Sequence, residues 1–121
     1  MSAATTHENL LREWQNRLGL QDWTIKLKDN CAPDDMIMQK VSGCTELEES
    51  IKTARIEMLD EKFYGDRIAP FDYEKTLVHE LLHLKTSLLS SQVDDLQERL
   101  FHVWIDDIAR ALVDAKRYKN G

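Results

Sequence analysis

Residues 76 to 85 read TLVHELLHLK, and this stretch constrains the fold more than any other. Wound as a helix at about 100° per residue, Leu77, Val78, Leu81, Leu82 and Leu84 make it apolar nearly all round. Such a helix belongs inside a core. It carries His79 and His83 with it, and Glu80 directly follows the first histidine. Buried imidazoles without partners are costly, so the pair needs either hydrogen bonds to backbone or carboxylates, or a shared ion.

The spacing favours the ion. Positions i and i+4 share one helix face, so His79 and His83 can offer their rings to a single metal. Glu80 points about 100° away from His79, which sets its carboxylate beside the metal, where it can take a proton from an attacking water. Zinc is the cofactor this division of labour implies, because it acidifies water and polarises a carbonyl. Two histidines with that glutamate form the HExxH pattern of zinc metallopeptidases, with Glu80 as general base.

Punctuation along the 121 residues gives an α+β order in one domain. Leu10, Leu11, Trp14 and Leu18 have helical spacing and Gly19 is placed to cap them, so a first helix is expected over 7–18. DWTIKLKDN alternates as a half-buried strand, APDD at 32–35 is a turn, and MIMQKVSG is expected as a second strand ending at Gly43. TELEES (45–50) suits a solvated loop or strand face. KTARIEMLD alternates Ala54, Ile56 and Met58 against Thr53, Arg55 and Glu57, a clear strand pattern. EKFYGDRIAPF is a loop. A helix from Tyr73 to Leu89 follows, with Asp72 as N-cap and Phe71 as staple. Ser91 and Asp94 resemble a capping box that opens a last helix to Tyr118. The expected layout is a first helix, a small antiparallel sheet, the motif helix and a closing helix.

Composition limits the setting. A 42% hydrophobic and 31% charged chain is globular, and its net charge of −6 disfavours nucleic acid as partner. No apolar run reaches the roughly 20 residues of a membrane span. MSAATTHENLLREW lacks the basic start and apolar core of a signal peptide, so a cytoplasmic protein with reduced Cys31 and Cys44 is expected.

A hydrolytic zinc site takes three protein ligands and leaves one position open. No third histidine follows His83 at the required spacing, so the ligand must come from elsewhere, and the last helix is the obvious supplier. Its apolar arc runs through Leu96, Leu100, Phe101, Trp104, Ile105, Ile108 and Leu112, with Asp106, Asp107, Arg99 and Arg110 on the wet side. Glu98 lies at the edge of that arc and is the acidic residue best placed to face the core as a metal ligand. His102, four residues on, is the other candidate: a ligand itself, a support for one, or a donor to an oxyanion.

VHELLH with a glutamate on the next helix resembles the gluzincins, zinc peptidases with a His, His, Glu ligand set. The small size and element order are most similar to the minigluzincins. KTARI, YGDRI, LVHELLHLK and IDDIARALV are also similar to small, largely uncharacterised bacterial and prophage proteins. The resemblance spans residues 52 to 113 and implies a zincin-like fold, a peptide or protein substrate and a cleft strand at 53–59 to which that peptide pairs. Glu98 comes fifteen residues after His83, a shorter spacing than in large gluzincins.

Other classes remain open. SGCT (42–45) faintly resembles the cysteine-ligand segment of peptide deformylases, whose glycine-rich motif is missing. A non-catalytic or latent zinc domain would serve as an interaction module, with the cysteine of NCAPDD as a possible cap on the metal. A metal-free interaction protein is the third.

Overall fold

The computed structural model describes residues 6–37, 41–87 and 94–120. Helix α1 (Thr6–Arg17) is followed by strand β1 (Thr24–Cys31), strand β2 (Gly43–Glu48) and strand β3 (Thr53–Leu59). Helix α2 (Tyr73–Lys85) carries the histidine motif, and helix α3 (Asp95–Asn120) closes the described chain. Among the described residues this is an α+β arrangement of three α-helices on a three-stranded sheet.

Local chemistry explains most boundaries. Gly19 adopts φ +70° after α1, and Leu20 N–H returns to Gln15 O at 2.8 Å, the αL closure that glycine permits. Asp72 caps α2 by accepting from Lys75 N–H at 3.2 Å. At α3 the capping box is formed by Asp94 and Gln97: Gln97 N–H donates to Asp94 Oδ1 at 2.8 Å, and Gln97 Oε1 accepts from Asp94 N–H. The expected box partner Ser91 lies outside the described residues, as do the motif helix's expected last residues, Leu88 and Leu89. Phe71, expected as a staple, meets the Tyr64 ring edge-on at 5.2 Å.

The sheet is mixed rather than antiparallel. Strand order is β1-β3-β2, with β1 parallel to β3 and β2 antiparallel to it. Alternation of apolar residues is the same for both pairings, and the long excursion from Cys31 to Gly43 brings the chain back so that β1 and β3 point the same way. The second strand is also later than expected. Among the described residues of MIMQKVSG only Gly43 belongs to it, residues 38–40 lying outside. Gly43, Thr45 and Leu47 face inward against Cys44, Glu46 and Glu48, a weakly apolar alternation suited to an edge.

Leu11 and Trp14 of α1, Ile25, Ala54, Ile56 and Met58 of the sheet, and Leu77, Val78 and Leu81 of α2 form the main core. From α3 it takes Ile105, Ala109 and Val113. The expected arc on α3 is therefore rotated: Leu96, Leu100 and Trp104 are exposed. A smaller cluster of Cys31, Met36, Cys44 and Leu59 covers the other sheet face. Under it Glu57, on the row opposite Ala54, Ile56 and Met58, is only 2% exposed. Ile37 N–H and the Cys44 thiol donate to its Oε1 at 2.8 and 3.2 Å, and Lys28 and Arg55 stand within 3.9 Å of its Oε2. Burial alone would raise this carboxyl, but those donors and cations hold it below the usual glutamate range.

α2 and α3 pack antiparallel, as the ion pairs Asp72–Arg117 and Lys75–Asp114 show. If Ile105 and not the outer stripe holds α3 in place, Ile105→Ala should lower the unfolding free energy in urea by about 2–5 kcal/mol. Leu100→Ala, at an exposed position, should change it by no more than about 0.5 kcal/mol.

Candidate metal centre

α2 is covered on one side by the sheet and on another by α3, so the few side chains it does not bury in the core open into the groove between. That groove is a cavity of about 960 Å³ lined by His79, Glu80, His83, Glu98, His102 and Asp106, with β2 as one wall. The i, i+4 pair on α2 faces His102 on α3. Ring centroids are 5.1 Å apart for His79–His83, 4.7 Å for His83–His102 and 5.9 Å for His79–His102. One nitrogen from each ring lies within 4.8 Å of the others.

Three imidazoles converging this way are a borderline-soft donor set that suits zinc. Tetrahedral metal–nitrogen bonds of about 2.0–2.1 Å put ligand nitrogens roughly 3.4 Å apart, so a bound ion would draw the three rings together. Protonation is favourable too. Burial, reinforced by the neighbouring His79 and His102, pushes His83 down to about 4, and burial lowers His79 despite the opposing pull of Asp106. Both are neutral near pH 7, the form a metal requires.

His79 Nδ1 stands 3.4 Å from Asp106 Oδ1. A carboxylate on one ring nitrogen fixes the tautomer and leaves Nε2 for an ion. Asp106 and Arg110, on the wet side of α3 by sequence patterning, are exposed as expected and also line the cavity. The signal was a four-residue stripe, 98-102-106-110, opposite the rows of His79 and His83. Glu98 belongs to this stripe and lines the cavity, exposed, one turn before His102; it contributes no atom to the three-nitrogen group.

Glu80 is 7% exposed. Its Oε1 accepts from Thr45 Oγ1 at 2.7 Å, and burial, opposed by that hydrogen bond, raises the carboxyl to about 7. Thr45 sits in the segment read as solvated, and nothing in its local pattern marks it. The close approach of β2 depends on Gly43. A Cβ there would stand 3.0 Å from Thr76 Cγ2 and 3.3 Å from Glu80 Cγ.

Two expectations change. The strand at 53–59 is β3, paired on both sides and closed to a peptide; the edge strand along the cavity is β2. The deformylase-like ligand also fails, because the Cys44 thiol donates to Glu57 and is not in the ligand group. Cys31, the candidate cap, is buried in the smaller cluster, its thiol 3.4 Å from Lys28 O.

No protein-family model matches the chain, and comparison with curated proteins and with solved structures gives no match. No helix among the described residues is long and apolar enough to cross a membrane.

Zinc competition against a chromophoric chelator separates the two third-ligand candidates. His102→Ala should weaken zinc binding by more than the roughly 10–100-fold that an outer-shell loss costs, Asp106→Asn should fall within that range, and Glu98→Gln should stay near wild type.

Proposed function

We propose that the protein is a zinc-dependent peptidase acting on extended peptides, with His79, His83 and His102 holding the metal and Glu80 as general base. The observation that carries this is a buried glutamate beside three converging imidazoles, in a groove walled by a sheet edge that is unpaired among the described residues. Zinc held there would supply a Lewis acid that polarises the scissile carbonyl and acidifies the attacking water.

The chain's own groups do the rest. Thr45 engages Glu80 Oε1, which leaves Oε2 to take the proton of the attacking water and hand it to the departing amine. The free edge of β2 offers backbone donors and acceptors to an extended peptide, aligning it past Glu80. Within the HExxH class, this three-histidine set differs from the glutamate-completed set of gluzincins. The setting that fits is intracellular, with a peptide rather than nucleic acid or a membrane as partner.

A second reading, a zinc-bearing interaction module without catalysis, is favoured by one feature. Leu96, Leu100, Val103 and Trp104 form an exposed apolar stripe on α3. Glu80→Gln distinguishes the two. Under the peptidase reading it retains stoichiometric zinc and loses hydrolysis of an unfolded protein substrate by about 10²-fold or more. Full activity in the variant would contradict the mechanism, and a zinc-loaded wild type that hydrolyses nothing would favour the module.

A further inference from the structure

The charges around the cavity are unevenly compensated. Asp72 is paired with Arg117, Lys75 with Asp114, and Arg110 with both Asp106 and Asp107. Among the described residues, Glu80 aside, three cavity charges have no ion-pair partner: Arg67, Glu49 and Glu98. They lie at opposite ends. Arg67 Nη1 donates to Ser42 Oγ at 3.1 Å, just before β2, and its guanidinium lies 4.5 Å over the Tyr64 ring. Glu49 directly follows β2 and accepts from Ser87, at the far end of α2. Glu98 stands one turn from His102, whose ring packs on His83 near that same end.

The seven steps from Ser42 to Glu49 span about 23 Å of strand, with Thr45 and Glu80 near the middle. A peptide added to the free edge of β2 pairs more stably antiparallel than parallel. Its amino side then lies at Glu49 and Glu98 and its carboxyl side at Arg67.

We propose that this groove selects peptides by charge polarity: cationic side chains on the amino side of the bond beside Glu80, and carboxylates on the carboxyl side. The proposal rests on the reading of the groove as a peptide site, but not on hydrolysis occurring there. Arg67 is suited to the task, since a guanidinium held flat by an aromatic ring presents its fork to a carboxylate at little entropic cost.

The test uses two fluorescent decapeptides of identical composition with an apolar centre. One has two lysines in its amino half and two glutamates in its carboxyl half; the other has these reversed. Both are neutral, so the protein's net charge of −6 favours neither. Binding to zinc-loaded Glu80→Gln protein is followed by fluorescence anisotropy. The lysine-first peptide is expected to bind roughly fivefold tighter at low ionic strength, the two converging at about 0.5 M salt. Arg67→Glu combined with Glu49→Lys and Glu98→Lys should reverse the order. Equal affinities, preference for the glutamate-first peptide, a salt-insensitive preference, or no binding of either peptide overturns the proposal. Should the wild type cleave neither peptide while the polarity persists, the catalytic reading fails and this one stands.

Discussion

The burial of α2 is the constraint on which the site depends. Its leucines and Val78 must be covered, and the sheet and α3 do this from two sides. Because positions 79, 80 and 83 interleave with those apolar residues, docking the helix draws two imidazoles and a carboxylate into a groove. Antiparallel packing then fixes what they meet: Asp72 and Lys75 pair with Arg117 and Asp114, and continuing that register sets Asp106 against His79 and His102 against His83. The helix start is anchored as well. Tyr73 OH donates to Asp29 at 2.7 Å, while Trp14 and Lys116 both donate to Glu74.

The other wall follows from a different requirement. Gly43 has no Cβ, so β2 settles against Thr76 and Glu80 close enough for Thr45 to reach the carboxylate. A glycine and a threonine two residues apart thus serve the same end: one allows the approach and the other uses it. A backbone edge beside a buried carboxylate and converging imidazoles is the combination that the proposed peptide hydrolysis requires.

What could be read from the sequence was what depends on local spacing. The His79, Glu80 and His83 constellation needs only helical geometry, and the inward row Ala54, Ile56 and Met58 needs only alternation. Long-range consequences were hidden. The parallel pairing of β1 with β3 leaves no trace in either strand's pattern. On α3, apolar residues occur on two opposite sides; the expected arc takes in Ile105 but reaches across to the bulkier set, Leu96, Leu100 and Trp104, and leaves out Ala109 and Val113. The small Ala109 is fully buried but weighs little in a hydrophobic count. The same rotation turns His102 towards His79 and His83, where the sequence pattern favours Glu98; Asp106 stays exposed, as its pattern implies, while lining the groove.

Anomalous diffraction at the zinc edge from zinc-loaded crystals tests the central claim most directly. The expected map has one strong peak bonded to nitrogens of His79, His83 and His102, with Glu80 beside the open side of the ion. A peak bonded to the Glu98 carboxylate in place of His102, or no peak among the three rings, would contradict it.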